Sequence, residues 1–471
     1  MPSAEIAYLF RHALLRDAAY ELQMPADRAK LHALAFHLIE QAFGGPAPST
    51  PSLDTPDRPG FVSHSTDSVA AELADHVRLA LAAGSADPEL AEAYPRYLHR
   101  LAEYAGKTYQ PAVAGAAWEQ LAAATQGPAR GEALRMAGSV QHRIGATARA
   151  EELFLQALEI QRLHGQRRLE GAVHQSLAML YFETGRLSLV EPTLATAIDI
   201  FAELGHRRNR GICLGTLAVY CKHTGRIPES ERYYAEALQL YRECGDEIGQ
   251  GIVLGNLAVL YRHTGRIEQA LEAYGQALEV TRRAGDRQGE GINLANLAVL
   301  HMESGRSAAA EELLAHALRI HRETGNGRAE GVAMAFLGGL LHDTSRSDEA
   351  ERILHMALRV NREGGIRIDE AKTLAHLANL QLDTGRAAQA RDTFQRALAI
   401  LDQAASRHNA AGHVCDYALC LLALGEGATA RELWRNNARL IEQAGDTVLL
   451  GQKTLRMRNA CAAAGVPPFD G

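Results

Sequence analysis

Long apolar runs are missing from this chain of 471 residues. No stretch approaches the roughly 18 consecutive apolar residues that a membrane-spanning helix needs, so no membrane partner is expected. The opening residues, MPSAEIAYLFRHALLRDAAY, place acid and arginine where a secretory signal requires an apolar segment. Cysteine is sparse: Cys213, Cys221, Cys244, Cys415, Cys420 and Cys461 show neither CxxC spacing nor the density of a disulfide framework. A reducing compartment, the cytoplasm, is the expected location. A basic excess is missing too. Against 49 Lys and Arg stand 56 Asp and Glu, the net charge is −7, and the two signs are interspersed. Binding to a phosphate backbone demands the opposite, so nucleic acid is not an expected partner.

Catalytic and cofactor signatures are equally scarce. A phosphate-cradling loop needs GxxxxGK[ST] after a strand. In the nearest approach, Ala105-Gly106-Lys107-Thr108, Leu101 stands five positions before Gly106 where glycine is required, in helical surroundings. Twenty histidines suggest a metal, yet the closest pairs, His32/His37, His316/His321 and His408/His413, are five apart. On a helix that swings the second ring about 140° from the first, whereas ligands sharing a face lie three or four apart. Cys415 and Cys420 have the same spacing and read as buried structural thiols. No serine sits in a nucleophile elbow, and the acids are scattered. No metal, cofactor or catalytic residue is implied.

What the chain does have is a repeat. Length alone would suggest about three globular domains, but in blocks of forty the sequence stacks on itself. Gly171, Gly211, Gly251, Gly291 and Gly331 form one column, continued by Ala371 and Ala411. Leu177, Leu217, Leu257, Leu297, Leu337 and Leu377 form another. Turn signals recur at Gly185-Arg186, Gly225-Arg226, Gly265-Arg266, Gly305-Arg306, Ser345-Arg346 and Gly385-Arg386. Gly165, Gly205, Gly245, Gly285, Gly325 and Gly365 close the blocks. Glycine commonly ends a helix in the left-handed conformation, where a Cβ costs energy. Each block therefore reads as helix A, a stop, helix B and a stop. In 251–290 this predicts helix A over about Ile252–His263 and helix B over about Ile267–Arg283, both built from good helix formers. Leu254, Leu257, Ala258 and Tyr261 share one face of A, as Ala270, Tyr274 and Ala277 do on B. With 47% hydrophobic residues the chain can supply a continuous core. One pair cannot bury its apolar face alone, so neighbours must stack.

Leu257, Ala258, Tyr261, Ala270, Tyr274 and Ala277 resemble the large and small signature of the tetratricopeptide repeat. The period of forty resembles the longer variant of Leu-Gly-Asn polarity adaptors and kinesin light chains. This resemblance implies an all-α fold, a right-handed superhelical solenoid of antiparallel helix pairs, with helix A on the concave surface. The expected organisation is an N-terminal helical segment (1–42), a Pro/Ser-rich linker (43–68), degenerate helical repeats (69–130), eight forty-residue repeats (131–450) and a C-terminal cap and tail (451–471). In the first segment, Phe10-Arg11-His12, Ala18-Ala19-Tyr20, Arg28 and Leu31-His32 resemble the region after the nucleotide-binding core of bacterial signal-transduction ATPases. Ala71–His76 resembles the helix entering their helical arm. The core itself has no counterpart here, so the segment reads as a relic of such a protein, as a cap on the first repeat, or as both.

A partner is expected on the free face of helix A, which in 251–290 carries Ile252, Gly255, Asn256, Val259, Arg262 and His263. The Gly255 column holds Gly215, Ala295, Ala335 and Ala375; the Asn256 column holds Ser176, Thr216, Asn296, Phe336 and His376; the Val259 column holds Val219 and Val299. This describes a groove with a small, apolar floor and a row of amides and hydroxyls. Asparagine can both donate to and accept from a peptide backbone, or it can bond the neighbouring repeat instead. Lys222-His223 and Arg262-His263 make one stretch of wall basic, while Glu303, Asp343 and Asp383 make another acidic. Such a division would fix the direction of a ligand, unless these are ordinary solvated helix ends. The expected function is a non-catalytic scaffold that binds a peptide or partner helix in the groove. The alternatives are the sensor arm of a split signal-transduction ATPase, whose partner would be that ATPase or a kinase, and an enzyme without a legible motif.

Overall fold

The computed structural model describes residues 22–55, 60–108, 110–403 and 410–469. Every regular element among them is helical. Four helices come first: α1 Pro25–Ala42, α2 Ala70–Ala82, α3 Pro88–Lys107 and α4 Pro111–Ala124. The A and B helices then alternate as α5 Gly127–Arg143, α6 Thr147–Leu163, α7 Arg167–Glu183, α8 Leu187–Glu203, α9 Arg207–His223, α10 Ile227–Glu243, α11 Glu247–His263 and α12 Ile267–Arg283. They continue as α13 Arg287–Glu303, α14 Ser307–Glu323, α15 Gly327–Asp343, α16 Ser347–Glu363, α17 Arg367–Asp383, α18 Ala387–Gln403, α19 Ala411–Ala423, α20 Gly427–Gln443 and α21 Thr447–Ala463. The chain divides into two compact units, one of residues 1–140 with 155–165 and the other of 141–154 with 166–471.

In the first unit the proline-rich stretch is pinned to helices. Asp67 of a 3-10 turn, Ser65–Val69, accepts the guanidinium of Arg100 at 2.6 Å with both side chains buried. Tyr97 donates its hydroxyl to Glu40 at 2.5 Å and accepts from Ala47 N–H at 3.2 Å. Packing α1 on α2 brings His32 Nδ1 to 2.9 Å from His76 Nδ1, which joins the Leu31-His32 and Ala71–His76 motifs. Phe10-Arg11-His12 and Ala18-Ala19-Tyr20 lie outside the described residues, as does His408.

The second unit is the all-α solenoid of antiparallel helix pairs. From α7 to α18 each helix has 17 residues and successive helices are joined by connectors of three, which is why the period is forty. The stops are glycines with left-handed φ, such as +74° at Gly265. After α11, Arg266 N–H reaches back to Tyr261 O at 2.8 Å and Gly265 N–H to Arg262 O at 3.1 Å, so the last carbonyls are satisfied. At five of these turns the arginine after the stop has a second use: Arg186, Arg226, Arg266, Arg346 and Arg386 pair with Glu151, Glu191, Glu231, Glu311 and Glu351, on helix B of the preceding repeat. Exposed pairs are individually weak, but this ladder repeats the stacking register.

Helix B limits fall where the sequence places them. Helix A begins five residues earlier than expected, at Glu247 rather than Ile252. The cause is Asp246, whose side chain accepts from Gly249 N–H at 2.9 Å and caps the helix. Gly251 thus lies inside the helix as a packing glycine: a Cβ there would stand 2.6 Å from Thr281 Cγ2 on α12. Between the helices, buried Leu194, Tyr234, Tyr274, Leu314, Leu354 and Phe394, forty residues apart, fill the core beside fully buried alanines such as Ala258, Ala298 and Ala378. Large against small at close-packed density is the repeat's internal rule.

Ser345 is the one non-glycine with positive φ among the described residues, at +62°. A left-handed L-residue costs about 1–2 kcal/mol. Ser345→Gly is therefore expected to raise stability in urea denaturation by about 1 kcal/mol, and Gly265→Ala to lower it comparably. A Ser345→Gly protein no more stable than the parent would refute strain at this turn.

Candidate binding groove and its closure

In the second unit successive A helices touch one another, whereas successive B helices barely do. Repeats held more closely on one side must curve toward it, which puts helix A on the inner surface. Small residues make the close approach possible. Ala295, Ala335 and Ala375 are buried, and a Cβ on Gly255 would collide with Asn293 Oδ1 of the next A helix. From Gly255 to Ala375 the small-residue column expected as the groove floor therefore serves contact between repeats, because the inner side of a curved stack has the least room; Gly215, with open space where a Cβ would stand, is not pressed in this way.

Other groove candidates remain open to the interior. Asn256, Val259, Asn296 and Val299 are half-buried. Neither Asn256 nor Asn296 makes a side-chain hydrogen bond to any described residue, in contrast to Asn379, whose amide donates to Asp416 at 3.0 Å. Thr216 is buried, and its hydroxyl donates to Ile212 O at 3.0 Å within its own helix.

The two charged walls are not separate. Arg262 Nη1 meets Glu303 Oε1 at 2.5 Å, each side chain only 17% exposed. Arg262 also lies 2.8 Å, through Nη2, from His263 Nε2, and His263 Nδ1 lies 3.1 Å from Asp446 Oδ2. Burial, with Lys222 and Arg262 nearby, pushes the His263 imidazole down to about 2, so it is neutral and its two nitrogens can bridge donor and acceptor. His223 sits edge-on to Phe182 with ring centroids 5.1 Å apart. Burial, with Arg262 beside it, lowers the Lys222 ammonium to about 8. Asp343 is exposed at the end of α15, while Asp383 meets His342 at 3.3 Å and Arg456 at 3.0 Å.

Asp446, Lys453 and Arg456 were not anticipated, and they decide the geometry. They belong to the last helix and the turn before it. That turn lies against the ends of α9 and α11: Thr447 Oγ1 donates to His263 O at 3.4 Å across 184 residues of sequence, and a Cβ on Gly225 would collide with Gln443 O. Further along α21, Lys453 meets Asp416 at 2.6 Å and Arg456 meets it at 3.4 Å; Asp416 is 1% exposed. Burial opposes the charge on Asp416, but Lys453 and Arg456 outweigh it and hold the carboxyl below its ordinary range. The solenoid thus curves until its C-terminal helices reach its own inner surface. Period and composition carry no signal for this; a residue count per superhelical turn would have been needed.

A tetratricopeptide repeat model matches residues 169–243, 249–323 and 329–403, and a second such model matches 411–436. Together they cover more than half of the 471 residues. The chain belongs to the tetratricopeptide repeat family. Repeats of this family are generally interaction modules without catalytic activity. No curated protein matches this tetratricopeptide repeat chain. Among solved structures it is similar to a Rap protein complexed with competence and sporulation factor, at 13% identity and TM-score 0.49, over 91% of this chain and 99% of that one. It is also similar to BtubC (BKLC) from P. vanneervenii, at 22% identity and TM-score 0.36, over 48% of this chain and 92% of that one. A Signal Transduction ATPase with Numerous Domains protein with a tetratricopeptide repeat sensor, from Pyrococcus horikoshii, is similar at 16% identity and TM-score 0.45, over 84% and 67%. No partner or activity carries over from likenesses of this depth. Among the described residues no helix is long and apolar enough to cross a membrane.

Asp416→Asn keeps the shape and removes the charge that Lys453 and Arg456 share. Breaking a buried pair by one partner costs about 3–5 kcal/mol, and a loss near the lower figure is expected in urea denaturation at neutral pH. Because the folded carboxyl titrates below its unfolded value of about 3.9, this contribution is present above that pH and fades as pH falls below it. The two proteins should therefore converge in acid. Equal stability at neutral pH would mean that this cluster does not anchor α21.

Proposed function

We propose that this protein is a non-catalytic scaffold of the cytoplasm that receives an extended peptide or partner helix along the inner face of its A helices. One observation carries the reading: Asn256 and Asn296 present half-buried amides that no described residue engages. Amides held in such surroundings without partners favour a ligand that supplies a backbone donor and acceptor. Val259 and Val299 offer the apolar contact beside them, with Thr216 one repeat earlier. Lys222, His223, Arg262, His263 and Glu303 form the rim toward the C-terminal helices, and Asp343 lies further along. The internal pairing of Arg262 with Glu303 favours a ligand chosen by shape and backbone bonding over one chosen by strong charge.

A second reading rests on the first unit. Contact between His32 and His76 joins the two described motifs that resemble the helical arm of signal-transduction ATPases, which supports a regulatory arm acting on a separately encoded ATPase or kinase.

Affinity capture with mass spectrometry distinguishes these readings. Unrelated proteins sharing a short motif support the scaffold, and one nucleotide-binding or kinase-type chain supports the regulatory arm. For a captured partner, Asn256→Ala with Asn296→Ala is expected to weaken binding about tenfold, as the loss of two hydrogen bonds implies, with an unchanged helical circular dichroism spectrum. Undiminished affinity would take the amides out of the site.

A further inference from the structure

Where the last helices meet the ends of α9 and α11 they enclose a cavity of about 250 Å³. Its wall combines Lys222, His263, His413, Asp446 and Lys453 with an apolar side that includes Ile227, Leu440, Ile441 and Leu449. Most polar groups at and around it have close partners. Lys453 is held by Asp416 and nearby Arg262 by Glu303, while Asp446 accepts from neutral His263 and from Leu449 N–H at 2.9 Å. Lys222 is the exception: it makes no hydrogen bond or ion pair with any described residue. His413, half-buried opposite it, likewise has no hydrogen-bond partner among the described residues.

Lys222 is half-buried, and the opposite charge that acts on it, Asp446, stands beyond ion-pair distance. A partly desolvated ammonium without a contact partner is costly for a fold to keep, and it is explained if a closer counter-ion arrives with a ligand. We propose that this cavity binds a small organic monocarboxylate, with Lys222 as its counter-ion, His413 as a second donor to the carboxylate, and a short apolar body packed on Ile227, Ile441 and Leu449. One cation without a contact partner, with the Asp446 carboxylate near it, suits at most one further negative charge, so a dianionic phosphate fits less well. The volume lies just below the range of drug-sized pockets and suits a metabolite-sized acid. Since the walls come from segments 184 residues apart, binding favours the closed arrangement of the second unit; it shares Lys222 and His263 with the groove rim but does not use the groove amides.

The electrostatic surroundings of Lys222 are specific. On α9 it is followed by His223; α11 contributes Arg262 and His263, α19 contributes His413, and the last turn and α21 contribute Asp446 and Lys453, while α10 offers only Ile227 to the cavity. Burial and Arg262 depress the ammonium and Asp446 opposes them, for a value of about 8. The cation is thus present near pH 7 and lost well above pH 8.

The test is isothermal titration of the full-length protein with hexanoate near pH 7, with hexanol and inorganic phosphate as comparisons. Saturable one-to-one binding of hexanoate in the millimolar range or tighter is expected, with neither comparison ligand matching it. Lys222→Met should weaken it at least tenfold, as loss of a charge-assisted contact implies, whereas Lys222→Arg should retain it. Raising the pH to about 9.5 should weaken binding to the parent by more than about tenfold but leave binding to Lys222→Arg unchanged. Folding is checked separately: without ligand, Lys222→Met should be at least as resistant to urea as the parent, because a partly desolvated charge without a contact ion pair is gone. Absence of saturable hexanoate binding, equal binding by Lys222→Met when folded, or tighter binding of phosphate would each overturn the proposal.

Discussion

The structure depends on the unequal room on the two sides of each repeat. Helix A carries glycine or alanine where it meets the next A helix, as at Gly255, Ala295, Ala335 and Ala375, while helix B fills the core with Leu, Tyr or Phe. Stacked pairs that are thin on one side and thick on the other must bend, since interiors tolerate neither voids nor overlap. Curvature is therefore a consequence of side-chain volume, repeated every forty residues. The glycine stops make the repetition regular, and the arginine ladder ties most of these turns to the previous helix B.

Curvature has a second consequence when it is sustained. By the last helices the array of the second unit meets the ends of α9 and α11, where His263 pairs with Asp446, while nearer A helices pair Asp383 with Arg456 and Asp416 with Lys453. Charges half-withdrawn from water are tolerable only with such compensation. The inner surface is thereby divided into an amide-bearing stretch around Asn256 and Asn296 and a seam where most charges are matched. Lys222 breaks the pattern of the seam, being half-buried there without a contact ion pair among the described residues.

Much of this was legible in the sequence. The columns of glycine, leucine and Gly-Arg identify the helix pair, the stop positions and the limits of helix B, because each reflects interactions within a few residues of the chain. The start of helix A was legible only in part: Gly251 has the composition of a boundary, yet the Asp246 cap shows that the helix is already under way. Asn256 and Asn296 were recognisable as candidates by type and column, but whether a neighbouring repeat engages them could not be read from either.

By itself the sequence determined the local terms: which residues are helical, where helices stop, and which faces are apolar. These follow from backbone sterics and hydrogen bonds over at most five positions, so they are written in short windows and repeat with them. Only the tertiary structure decided that the small column faces the next repeat instead of a ligand, that Arg262 and Glu303 neutralise each other, and that α21 closes on α11. Those outcomes depend on a small bend per repeat summed over several repeats, and no pair of residues encodes that sum.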